Sequence, residues 1–205
     1  FETGADPITT GLVKSLNRPE GNVTGITSLN LEIGAKRLQL LRELVPQAKS
    51  FAVLLNPTNP LNVEITKKNL EDSSQALELQ LHFLNASTER ELEIAFARLA
   101  QLRVGGLLVG SDTFFNNRAQ QLAELTLKHS VPTVFQAREF TAAGGLVSYG
   151  GNVSETHGQA GVYTGRILKG ERPADLPVQQ VTKIELIINL RTAKSLGINV
   201  PNTLI

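Results

Sequence analysis

Between Phe51 and Phe135 the chain alternates between short apolar runs and longer amphipathic stretches, and this rhythm constrains the fold more than any other feature. Phe51–Leu55 is a compact apolar run stopped by Asn56-Pro57 and reads as a buried strand. Pro60–Leu79 follows as a helix, with Asn59 as its cap and Pro60 in its first turn. Leu79–Leu84 is the next strand. Ser87 or Thr88 then caps a helix whose apolar face is Leu92, Ala95, Phe96 and Leu99. Gly106–Val109, a helix over Asn116–His129 and Pro132–Phe135 complete the series. Strands joined through helices by short loops form a parallel sheet with helices on both faces. The near-universal right hand of such crossovers makes a doubly wound α/β sheet the expected fold.

In a sheet of this kind ligands bind beyond the carboxyl ends of the strands. That rule selects four loops: Asn56–Asn59, Asn85–Ser87, Ser111–Phe115 and Gln136–Phe140. The flanks differ from the middle. Asp6–Leu16 reads as a short helix, Val23–Thr27 as an extended segment and Leu29–Leu44 as a helix. Gly144–Gly151 is a second extended, glycine-framed segment, followed by a helix over Val153–Leu168. Gln180–Asn189 reads as a strand and Leu190–Leu196 as the last helix. The two glycine-bounded segments look like hinge strands between two lobes.

Composition removes several functions. The formal net charge is +1, and no basic cluster exceeds Lys67-Lys68, so nucleic acid is not an expected partner. With no cysteine there is no disulfide, thiolate metal site or cysteine nucleophile. His82, His129 and His157 show no metal-ligand spacing, so neither a metal nor another cofactor is expected. No Gly-x-Ser-x-Gly elbow and no phosphate-cradling glycine loop is present, and no run is long enough to span a membrane. The chain lacks methionine and opens on Phe1 inside what reads as the end of a strand. It therefore reads as an N-terminally truncated piece, with any signal segment upstream.

Four blocks of sequence carry a family resemblance: Asp6-Pro7 with Leu16-Asn-Arg-Pro-Glu-Gly-Asn-Val-Thr-Gly-Ile-Thr27; Phe51-Ala-Val-Leu-Leu-Asn-Pro-Thr-Asn-Pro60; Arg138-Glu-Phe with Gly144-Gly-Leu-Val-Ser-Tyr-Gly150; and Ile167-Leu-Lys-Gly, Pro173-Ala-Asp-Leu-Pro177 and Asn189-Leu-Arg-Thr-Ala-Lys-Ser-Leu-Gly197. In order and spacing the chain resembles the substrate-binding proteins of ABC transporters, in the branch with tryptophan- and tyrosine-binding members. The resemblance implies a type I periplasmic-binding-protein fold whose two lobes close on a solute. It implies a lobe remnant at 1–27 and 150–178 and a complete lobe at 28–145 and 183–205. The crossovers would be 23–27, 144–151 and 177–184. It further implies a small-molecule ligand, an ABC permease as partner, and residence in the periplasm or on a lipoprotein anchor outside the membrane. The family's first lobe is longer, so exposed apolar surface and association with another copy are expected.

Candidate ligand contacts follow from the loops, each beside a plainer role. Asp112 could pair with a ligand ammonium or cap a helix. Phe114 could stack on an apolar ligand, or be buried with Phe115. Arg138 could clamp a carboxylate and Glu139 answer an amine, or the two could form ion pairs that fix the hinge. Asn56, Thr58 and Asn59 sit where a strand meets a helix N-terminus, with Ser111 as a nearby hydroxyl, although Asn59 also suits a simple cap. Thr3 and Asp6 would face the cleft from the remnant, Asp6 being equally suited to cap its own helix. Tyr149 supplies a hydroxyl at the hinge, or packs there. A solute-binding protein with an amino-acid-like, aromatic or otherwise small organic ligand is the leading reading. The effector domain of a transcription regulator and an α/β enzyme are the alternatives, since fold alone does not separate them.

Overall fold

A computed structural model describes residues 1–28 and 30–204. Period-two alternation sorts the strand side chains onto two faces, and a different set of helices covers each. On β3 (Ser50–Leu55), Ala52 and Leu54 point to one core, while Phe51, Val53 and Leu55 point to the other. β5 (Leu107–Val109) and β6 (Thr133–Phe135) divide their residues in the same way. The first core is closed by α3 (Glu89–Leu102), α4 (Thr113–Asn116), α5 (Ala119–Lys128) and α6 (Arg138–Ala142). The second is closed by α1 (Gly34–Leu44), α2 (Pro60–Ala76) and α8 (Leu190–Ser195). With β4 (Gln80–Asn85), β7 (Val147–Gly151) and β9 (Ile184–Ile188), the strands form a six-stranded sheet ordered β4-β3-β5-β6-β7-β9. All its pairings are parallel except β7 with β9. The doubly wound α/β sheet expected from the sequence is present.

A smaller parallel sheet has the order β1-β2-β8, from Glu2–Thr3, Ile26–Thr27 and Gln179–Gln180. It carries α7 (Val153–Leu168), whose Tyr163 packs with Ile26, Leu176 and Val181 and donates its hydroxyl to Pro177 O at 2.6 Å. The chain passes between the sheets after β2, after β7, and between β8 and β9. At the second passage Gly150 is obligatory. A Cβ there would lie 1.9 Å from the Gln136 carbonyl oxygen, so only hydrogen allows β7 this close to the end of β6.

Several elements differ from expectation. Asp6–Leu16 is not a helix but a set of turns closed by Thr10 N→Asp6 O, Gly11 N→Ile8 O and Leu12 N→Pro7 O, with Gly11 at φ +73° ending the winding. The helix read over Leu29–Leu44 begins only at Gly34, and Leu31 N donates to Gly4 O; Leu29 lies outside the described residues. The helix read over Asn116–His129 is α5, Ala119–Lys128, and a separate short helix, α4, precedes it over Thr113–Asn116. The strand read over Gln180–Asn189 divides between the two sheets, Gln179–Gln180 pairing with β2 and Ile184–Ile188 with β7. Arg138 and Glu139, read in a loop, open α6.

Candidate ligand cleft between the two sheets

Strand order decides which loops meet. From β3 the chain moves outward to the edge strand β4 and then returns to β5 on the other side of β3. The loops after β3 and β5 thus diverge to opposite faces, the switch point at which doubly wound sheets open a crevice. A cavity of about 590 Å³ lies there. Asn59 and Asn62 line it from the β3 side, Ser111, Asp112 and Asn116 from the β5 side, and Gln136 and Glu139 from the end of β6. The opposite wall comes from the small sheet and α7, through Glu2, Thr3, Thr156 and His157. Asn85–Ser87, chosen from sequence as a fourth loop, contributes nothing to the wall because β4 lies at the sheet edge.

Asp112 is braced in the wall by three donors. Its Oδ1 accepts from Asn56 Nδ2 at 2.9 Å and from Phe114 N at 2.8 Å, and its Oδ2 faces Asn59 Nδ2 at 3.4 Å. It therefore caps α4, as one sequence reading had it, and also stands in the cavity wall. All these donors are neutral. They orient the carboxylate without cancelling its charge. Asn56 is itself locked, accepting from Thr58 N at 3.1 Å and Thr58 Oγ1 at 2.8 Å. Neither Asn56, which is buried, nor Thr58, which is exposed, lines the cavity.

Other candidates divide in the same way. Thr3, Asn59, Ser111 and Glu139 line the cavity with Asp112. Asp6 turns away, bonded to Thr9 Oγ1 at 2.6 Å and Ile8 N at 3.0 Å, and these two bonds hold its carboxyl below the ordinary aspartate range. Phe115 is buried in the core, and Phe114 packs beneath the Arg118 guanidinium, 4.0 Å from the ring centroid. Neither ring lines the cavity. Arg138 pairs with Glu185 at 3.4 Å on the surface. Tyr149 meets the site only through its backbone oxygen, which accepts from Arg37 Nε at 2.7 Å.

Arg37 and Asn30 are among the residues that sequence reasoning missed, with Glu2, Asn62, Asn116, Gln136, Thr156 and His157 of the wall. Arg37 is 2% exposed, the charged member of an otherwise apolar face of α1. Its guanidinium donates to Asn30 O at 2.9 Å, Asn30 Oδ1 at 3.3 Å, Ser111 Oγ at 3.1 Å and Tyr149 O. Asn30 Oδ1 also accepts from Gly151 N at 3.1 Å, so the pair clips two of the inter-sheet passages together directly behind the wall. Burial pushes the Arg37 pKa down to about 9, which leaves it a cation at neutral pH. One signal was legible. Arg37, Leu41 and Leu44 share a stripe at i, i+4 and i+7, so an arginine occurs where a core residue is due.

The comparisons with known proteins agree with this architecture. The model of the ABC transporter substrate binding protein family matches residues 1–205. The chain belongs to that family. A tyrosine-binding protein of Clostridioides difficile (strain R20291) is 30% identical over 191 residues, covering 93% of this chain and 54% of that relative. The chain thus spans about half the length of this curated relative. A conserved domain protein of Vibrio cholerae superposes with a TM-score of 0.83 at 25% identity, over 97% of this chain and 66% of that one. An ABC domain from Streptococcus pneumoniae in complex with L-Trp gives 0.79 at 24%, over 98% and 68%. The fold is that of type I periplasmic binding proteins, and the family is one of binding proteins. No helix among the described residues is long and apolar enough to cross a membrane.

Proposed function

We propose that this protein is the solute-binding component of an ABC importer, and that it takes an amino-acid-like solute through its ammonium group. The observation that carries this is the charge of the wall. Among the described residues it presents Glu2, Asp112 and Glu139 and no lysine or arginine. Glu2 is engaged by His157 at 3.2 Å, whereas Asp112 has only neutral partners. An aligned, uncompensated carboxylate in a half-enclosed site recognises a primary ammonium. The names of the relatives, one for tyrosine and one seen with L-Trp, favour an amino acid and admit an aromatic one.

The solute bonds to the loops of the large sheet and to the β1–α7 wall, and so favours the closed arrangement of the lobes. The hinge strands are 23–27, 144–151 and 177–184, between lobes at 1–27 with 150–178 and at 28–145 with 183–205. Closure presents the loaded protein to a permease, outside the cytoplasm, and no chemistry is done on the solute. Calorimetric titration of the intact protein with L-tyrosine, L-tryptophan and L-leucine, beside the corresponding acids lacking the amine, tests the reading. Saturable binding of at least one amino acid, with its deaminated analogue tenfold or more weaker, is expected. Failure of all three to bind, or equal affinity for the deaminated acids, overturns it.

A further inference from the structure

Burying a guanidinium is costly unless its charge is answered, and buried arginines are ordinarily paired with carboxylates. Among the described residues Arg37 has no carboxylate as a hydrogen-bond partner. Its partners are neutral: the Asn30 carbonyl and amide oxygens, the Tyr149 carbonyl and the Ser111 hydroxyl. Asn30 and Ser111 are also wall residues, so the charge lies one hydrogen bond behind the cavity surface. Ser111 is the informative member. Its oxygen accepts from Arg37 Nη1 at 3.1 Å, which polarises the hydroxyl and leaves its hydrogen to be donated. Within the chain the acceptor on offer is Asn30 O, and the bond is weak because 3.4 Å is long for a hydroxyl donor. An anionic oxygen entering the cavity is a better acceptor than the one Ser111 gives up.

Resting on the amino-acid reading above, we infer that Arg37 is a positioning residue for the solute carboxylate: it supplies the positive field, and Ser111 carries it to the wall as the donor that touches the solute. The two ends of the solute are then read from one loop, the ammonium at Asp112 and the carboxylate at Ser111. Because Arg37 also holds Asn30 and Tyr149 O, the carboxylate docks on the group that joins two passages between the sheets. Occupancy and the inter-sheet clip share a residue.

The test compares each amino acid with its own carboxamide, which keeps the amine and side chain and replaces the carboxylate by a neutral amide, at a pH where both amines are protonated. L-tyrosine, L-tryptophan and L-leucine are titrated against the three amides, in wild type, R37Q, R37K and S111A. Wild type is expected to prefer acid over amide tenfold or more. R37Q and S111A should bring that ratio below threefold, and R37K, which keeps the charge, should retain most of it. A loss of packing weakens acid and amide together and leaves the ratio unmoved, so the ratio separates positioning from fold. If R37Q does not fold, S111A and R37K still decide. A full acid preference in folded R37Q or in S111A overturns the proposal, as does an acid preference in R37K no greater than in R37Q or S111A. Equal affinity of wild type for acid and amide overturns this proposal alone, while failure to bind any of the six overturns the amino-acid reading and this proposal with it.

Discussion

Asn56 Nδ2 donates to Asp112 Oδ1 at 2.9 Å, tying the carboxyl end of β3 to the loop that follows β5. The two strands are neighbours in the sheet, but their following segments part to opposite faces, and this bond holds the mouth of the crevice in register. Asn56→Ala removes it and strands two donors of Thr58 as well. The loss should cost about 1–3 kcal/mol by urea denaturation, and solute affinity should fall because Asp112 loses its brace.

Asp112→Asn keeps the size and one accepting oxygen for Phe114 N but removes the charge. An ammonium-bearing solute should bind at least tenfold more weakly, roughly 1.4 kcal/mol, while the circular dichroism spectrum stays that of wild type. Unchanged affinity in titration calorimetry would place the ammonium elsewhere on the wall.

The strands were legible because each is an apolar run closed by turn residues, and β3 lies at Ser50–Leu55 against the Phe51–Leu55 read from sequence. The site was legible to the extent that strand ends are. Asp112, Asn59, Ser111, Glu139 and Thr3 line the cavity because they stand at or just beyond the carboxyl ends of β5, β3, β6 and β1. Side-chain direction was not legible. Asp6 satisfies its own turn, Arg138 pairs with Glu185, and Phe114 serves Arg118. Arg37 was legible only as an arginine on the apolar stripe of α1; its partners were not, because Asn30, Ser111 and Tyr149 reach it only through the tertiary fold.

Two glycine-to-alanine substitutions should act in opposite directions. At Gly150 the new Cβ meets the backbone oxygen of Gln136 and also lies 3.0 Å from Asn30 Oδ1, so β6 and β7 must part at the cleft. Gly150→Ala should destabilise by about 2–4 kcal/mol. Gly158 is exposed within α7, with nothing within 4 Å of its added Cβ. In the 205-residue chain Gly158→Ala should stabilise by roughly 0.5–1 kcal/mol through helix propensity. Thermal unfolding of the pair reads both signs.

Glu91 gives the fold an acid-sensitive cap. Its carboxylate accepts from Ser87 N and Ser87 Oγ at 2.7 Å each, while Thr88 Oγ1 accepts from Glu91 N at 3.2 Å. The bonds from Ser87 hold the Glu91 carboxyl below the ordinary glutamate range. A depressed native pKa means that the unfolded chain takes up the proton first. The stabilisation is therefore complete above the unfolded pKa and is lost as pH falls through the native one. Between about pH 5 and pH 3, the melting temperature of wild type should fall more steeply than that of Glu91→Gln. Parallel slopes would assign the acid sensitivity to other carboxylates.

Arg138 and Glu139 are adjacent in sequence yet do different work. The Arg138–Glu185 contact is 3.4 Å long with the arginine side chain 52% exposed, and Lys183 competes for the same carboxylate at 3.8 Å. Such a pair gains little over its solvated partners, so Arg138→Ala should change stability by less than about 1 kcal/mol and solute affinity by less than twofold. Glu139 lines the cavity and adds to the negative field around Asp112. Glu139→Gln should therefore slow association with an ammonium-bearing solute, and more so at low than at high salt, because the contribution is screened. Stopped-flow association rates at two ionic strengths distinguish the neighbours. A salt-dependent rate loss in Arg138→Ala rather than Glu139→Gln would reverse the assignment.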